Sequence, residues 1–115
     1  MNPEDYMSEL RQRFPELAPT LDQEEWRGLL HVETGRFAAF CRQAIDAGDR
    51  NLVEKCFSFA RDSAMDGTDE VQNAIGVSFV EHLNFQDGKV LRRWAYDLLP
   101  PRLKADAEAL GVDPD

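Results

Sequence analysis

Val71–Leu83, VQNAIGVSFVEHL, is the stretch on which the fold turns. Wound as a helix, it points Val71, Ala74, Ile75, Val77, Phe79, Val80 and Leu83 in nearly every direction, and a helix that is apolar all round is a buried one. Nothing here or elsewhere in the chain alternates with period two over a strand length. The segment therefore predicts the central helix of an all-α domain. Gly76 lowers its stability by about 1 kcal/mol relative to Ala, which implies close approach of a neighbouring helix as compensation. Thr68, Asp69 and Glu70 supply a cap and first-turn acids in front of it.

Working backwards, Asp66-Gly67 ends a helix capped by Asp49. Its main stripe is Val53, Cys56, Phe57, Ala60 and Ala64, and Leu52 and Phe59 form a second, so it has neighbours on two sides. Before it, Asp22–Ala47 holds no Pro, and Trp26, Leu29, Leu30, Glu33, Phe37, Phe40, Cys41, Ala44 and Ile45 keep helical phase. One long helix is expected, with Gly48 as a left-handed cap. At the start, Asn2-Pro3-Glu4-Asp5 opens a helix carrying Tyr6, Leu10 and Phe14, which Pro15 closes. Working forwards, Asn84–Gly88 reads as a turn, and Val90, Leu91, Trp94, Ala95 and Leu98 share one side of a helix over Lys89–Leu99. Pro100-Pro101 starts a last helix with Leu103, Ala107 and Leu110. Residues 1–115 thus make a single domain, a bundle of about six or seven helices. The capped helices opening at Asp49 and Thr68 are compatible with one HEAT-like hairpin, although two units are fewer than the three that define a repeat.

A chain of 115 residues with 43% hydrophobic and 10% aromatic content is long and apolar enough to fold without staples. Thirteen Lys and Arg against twenty-two Asp and Glu give a net charge of −9, which disfavours nucleic acid and anionic membrane as partners. The charge is uneven: residues 1–88 carry −9, residues 89–104 carry +4 and the tail −4. No apolar run is long enough to span a membrane and the start is acidic, so a cytoplasmic protein is expected. Cys41 and Cys56 lie among apolar residues and read as core fillers; a disulfide is left open by sequence and disfavoured by the lack of a secretory signal.

Catalytic chemistry finds little support. His31, His82, Cys41 and Cys56 lack metal-ligand spacing, no Gly-rich loop precedes a helix, and no nucleophile elbow is present. No cofactor, metal or small-molecule substrate is expected. Glu33 is the one charge on the core side of the long helix, and pairing with Arg36, Arg42 or another basic group is its expected explanation. An enzyme would require Glu33 to meet His31 or His82 in a cleft. Asn73 and Ser78 read as polar contacts to a neighbouring helix.

Two acidic clusters remain. Asp22, Glu24 and Glu25 surround Trp26 at an expected helix start, where carboxylates are favourable. Asp62, Asp66, Asp69 and Glu70 crowd one helix-to-helix turn. Asp62 and Asp66 lie near the negative end of their own helix, a misplacement that points to a binding surface for a basic protein.

Three segments, EVQNAIGVSFVEHL at Glu70–Leu83, WAYDLLPPRL at Trp94–Leu103 and LHVETGRFAAFCRQAIDAGD at Leu30–Asp49, resemble small acidic all-α bacterial proteins regarded as immunity or immunity-like proteins of polymorphic toxin systems. The resemblance covers most of the chain after the first helix. It implies a stable helical domain without catalytic apparatus that neutralises a cognate toxin. The expected function is non-enzymatic: binding a basic toxin through Asp62, Asp66, Asp69 and Glu70, or through Asp22, Glu24, Glu25 and Trp26. The alternative is a helical scaffold or adaptor domain that binds a host protein.

Overall fold

α1 (Pro3–Arg13) begins as the sequence dictates: the Asn2 side chain accepts from the Asp5 backbone N–H, and Asp5 accepts in turn from that of Asn2. The computed structural model describes residues 1–23, 28–83, 85 and 92–112. Phe14 leaves the helical region ahead of Pro15, and a 3-10 turn (Pro15–Leu17) leads into the one-turn α2 (Ala18–Leu21). α3 (Leu30–Asp46) and α4 (Arg50–Asp66) follow, then α5 (Asp69–Ala74). The last runs on through a π-helical stretch (Ile75–Val80) and a 3-10 turn (Glu81–Leu83). α6 (Arg93–Leu98) and α7 (Pro101–Leu110) complete the chain. Every regular element among the described residues is helical, so the domain is all-α.

The rod formed by α5 and its π-helical extension is the centre of the molecule. Val71, Ala74, Ile75, Phe79, Val80 and Leu83 have no exposed surface. Val77, expected to be buried with them, is 39% exposed, because it lies on the same stripe as the exposed Asn73 and Glu81. Phe79 stacks on Phe37 of α3 at 4.7 Å and meets Phe57 of α4 edge-on. Tyr6 of α1 and Phe14, just past its end, extend the cluster through Phe37 and Phe59.

α3 and α4 are joined by Ala47–Asp49, where Gly48 takes a φ of +72° that a residue with a Cβ adopts at a cost, and Asp49 caps α4 through the Leu52 N–H. Phe37 and Ala60, Cys41 and Cys56, and Ala44 and Val53 are pairs of positions equally far along the chain from this turn, on two helices in contact. All six are buried in the common core.

Four expectations are corrected. The long helix starts at Leu30 rather than Asp22: Gly28 is left-handed at φ +80° and Leu29 is extended, and either breaks a helical run. Asp22 instead follows α2, and Leu29 is 51% exposed. α6 starts at Arg93 because the Arg92 backbone is not helical; buried Arg92 grips Asp46 with Nε and Nη2 at 2.9 and 3.0 Å, fixing that start against the end of α3. Trp94, expected on a buried face, is 36% exposed, while Val90, Leu91 and most of the expected Asn84–Gly88 turn lie outside the described residues. Gly76, expected to admit a close helix, has the Asp106 carboxylate of α7 as its neighbour, at ordinary contact distance (3.8 Å) from where a Cβ would stand. The tightly enclosed glycine is Gly67, where a Cβ would overlap the Ser63 carbonyl and lie 2.6 Å from Val71 Cγ1.

Candidate functional site

The α4–α5 turn carries Asp62, Asp66, Asp69 and Glu70. Asp62 pairs with its neighbour Arg61 at 3.2 Å, and the Met1 amino group donates to the Asp66 carbonyl at 3.0 Å. The ion pair offsets the charge of Asp62, and the Met1 ammonium puts positive charge where α4 ends, so the apparent misplacement of these two carboxylates has a local answer in the fold. Thr68 occupies the cap position of α5 without using its side chain; its N–H donates to the Met1 carbonyl at 2.9 Å, and Gln72 Nε2 closes the turn on the Gly67 carbonyl. Asp66, Asp69 and Glu70 are exposed.

Docking of Met1 onto this turn places α1 beside it. A groove of about 470 Å³ runs between them, lined by Met1, Asp5, Ser8, Glu9, Gln12 and Asp66. Asp5 and Glu9, four residues apart on the polar face of α1, are the acidic residues that sequence reasoning missed. Their spacing was visible; their juxtaposition with a turn some sixty residues away was not. Glu9 makes a long ion pair with Arg13 at 3.7 Å, and Asp62, Asp69 and Glu70 do not line the groove.

The second expected cluster does not form a comparable surface. Glu24, Glu25 and Trp26 lie outside the described residues. Asp22 is held by Arg11 Nε at 2.7 Å as part of a structural clasp. The same guanidinium meets Glu33 with Nη1 and Nη2 at 2.7 and 3.0 Å and donates to the Met7 and Leu21 carbonyls. All its N–H donors are thereby engaged. Glu33, without exposed surface, also accepts from the Gly28 N–H at 2.6 Å. The bidentate bond to Glu33 raises the guanidinium further above its already high value. Glu33 thus pairs with Arg11 of α1, while Arg42 donates to the His82 carbonyl. Beside the clasp, Tyr6 and Thr34 share a buried hydrogen bond at 2.9 Å, and burial pushes the Tyr6 phenol well above its usual range.

Glu33 and the histidines do not converge. His31 Nδ1 lies 2.7 Å from Ser78 Oγ, tying the first turn of α3 to the π-helical stretch. His82 Nδ1 donates to the Ser78 carbonyl at 2.9 Å. Ser78 thus makes the interhelical contact expected of it, and Asn73 is exposed instead. Among the described residues, no three His, Cys, Asp or Glu are grouped to hold a metal ion, and no helix is long and apolar enough to cross a membrane.

Residues 7–110 match a family described as a domain of unknown function (DUF7674). The chain belongs to that family. No curated protein and no solved structure matches it. The DUF7674 match runs from Met7 in α1 to the end of α7, so it includes the Arg11–Glu33 clasp, the α3–α4 pair and the acidic turn, but not the Asn2 cap.

Proposed function

We propose that this DUF7674 protein acts by binding rather than catalysis: an immunity-type protein that neutralises a basic toxin in the cytoplasm through its acidic surface. The observation that carries the reading is the meeting of Asp5 and Glu9 of α1 with Asp66 around one open groove, next to exposed Asp69 and Glu70. A partner presenting Lys and Arg gains from this field twice. Long-range attraction speeds the encounter, and desolvated pairs at the centre favour one docked orientation. The resemblance to immunity proteins and the net charge of −9 support the same reading.

The test begins with a pull-down from the native organism, or with the product of the adjacent gene, followed by rate constants for the complex. Raising salt from low to physiological levels is expected to slow association far more than it speeds dissociation. A variant with Asp5→Asn, Glu9→Gln and Asp66→Asn is expected to keep its fold and lose association rate. Association insensitive to both salt and these changes would overturn the acidic-surface assignment. Capture of a basic host protein with no toxic activity would replace the inhibitor by the adaptor reading.

A further inference from the structure

α3 and α4 pack on each other and turn Ala38, Cys41 and Ala44 from the one and Val53, Cys56 and Ala60 from the other into the core, all buried. Cys41 and Cys56 lie equally far along the chain from the turn that joins α3 to α4, and neither has exposed surface. Directly facing Cα atoms on helices packed 8–10 Å apart lie roughly 3.4–5.4 Å from each other, a range that overlaps the span of a disulfide. Both residues are thiols in this structure. Burial first, and then the nearness of Cys56, holds the Cys41 thiol well above its usual range.

We propose that Cys41 and Cys56 are a preorganised dithiol that closes to a disulfide between α3 and α4 when a small-molecule disulfide such as glutathione disulfide is the oxidant. In the first step one protein thiol gives its proton to solvent and its sulfur attacks glutathione disulfide. A mixed disulfide forms and one glutathione thiolate leaves. The second protein thiol then loses its proton and attacks the protein sulfur of that mixed bond, releasing the second glutathione. One S–S bond is broken and one made; two protein thiols are oxidised while the glutathione disulfide is reduced to two thiols. Burial makes the exchange pass through transient opening of the pair, and the same burial then shields the closed bond from reductant. At a reducing glutathione poise the two residues remain packed thiols, so the pair reports and locks only on oxidation.

The test equilibrates the intact protein in glutathione buffers of graded poise, with and without denaturant. Equilibrium is approached from both the reduced and the oxidised protein. After acid quench, thiols are alkylated and the mass is read. Half-conversion in the folded protein is expected at a ratio of glutathione disulfide to glutathione squared about 100-fold lower than in the denatured chain. Oxidised protein is also expected to melt above reduced protein, a shift that Cys56→Ala abolishes. If that variant does not fold, the titration of the parent protein decides alone. Half-conversion at the same ratio as the denatured chain or a higher one, or accumulation of mixed glutathione adducts, would overturn the proposal. Neither result bears on the acidic surface, which lies elsewhere.

Discussion

Glu33 and Asp66 are carboxylates on helices of the same bundle, and they stand at opposite limits of what a carboxylate does. Glu33 has no exposed surface and accepts hydrogen bonds from Arg11 and from the Gly28 backbone, joining α1, the approach to α3 and α3 itself. Asp66 is exposed beside a groove, with Asp5 and Glu9 as neighbours. A negative charge in this protein is therefore structural where a guanidinium and a backbone N–H replace its water. It is available to a partner where solvent still surrounds it.

The largest effect that would sharpen this contrast comes from Glu33→Ala. It leaves the Arg11 guanidinium partly buried without its main partner, and a loss of about 3–5 kcal/mol is expected in urea unfolding. A loss below about 1 kcal/mol would show that Arg11 is resolvated easily and that the clasp is ornamental.

Next in size is Gly67→Ala, which probes the turn that displays the acidic residues. The added methyl meets the Ser63 carbonyl and Val71, so about 1–3 kcal/mol of destabilisation is expected. Gly76→Ala is the matched control: its methyl meets open contact with Asp106, and stability is expected to hold or rise by up to about 1 kcal/mol. Equal melting temperatures for the two variants would contradict the packing at Gly67.

A smaller effect is expected at Asp106, whose carboxyl is raised above the usual aspartate range by burial, with Arg102 opposing. A raised folded-state value means that the folded protein holds this proton more tightly than the unfolded chain does. The stability it contributes is complete below the unfolded value and is lost as pH rises through the folded one. Asp106→Asn mimics the protonated form, so it is expected to melt slightly above the parent at neutral pH, by at most about 0.5 kcal/mol. The difference should vanish in acid; thermal melts across pH check it, and a variant less stable at neutral pH would make the Arg102 pair the stronger effect.

The smallest change in stability is expected from Asp62→Asn, Asp66→Asn, Asp69→Asn and Glu70→Gln together. Losing two favourable charges at the start of α5 is offset by losing two unfavourable ones at the end of α4, leaving a net change within about 1 kcal/mol. A collapse in stability would place these carboxylates with Glu33 as structural groups and remove them from the binding surface.

Local physics made much of the fold legible. The Asn2 cap, Pro15, Gly48, Asp49, Asp66-Gly67 and Pro101 fixed helix ends because each acts within a turn of its own position. The stripes Tyr6–Leu10–Phe14 and Val53–Cys56–Phe57–Ala60 were readable because apolar side chains at helical spacing have one face to bury. Asp22–Ala47 reads as continuous in the letters because helical phase persists across Gly28, whose left-handed backbone exists only in the folded chain.

By itself, then, the sequence determined an all-α class, the buried rod around Ile75 and Phe79, and a charge that disfavours polyanionic partners, since these follow from periodicity and composition. Which charge meets which was decided by the tertiary structure alone. Arg11 finds Glu33, Met1 finds the α4–α5 turn, Asp66 faces Asp5 and Glu9, and Cys41 lies near Cys56, because such pairings depend on how helices far apart in sequence pack. An ion pair or a groove has no local signature: its energy depends on distance and solvent exposure, and both are set only when the core closes.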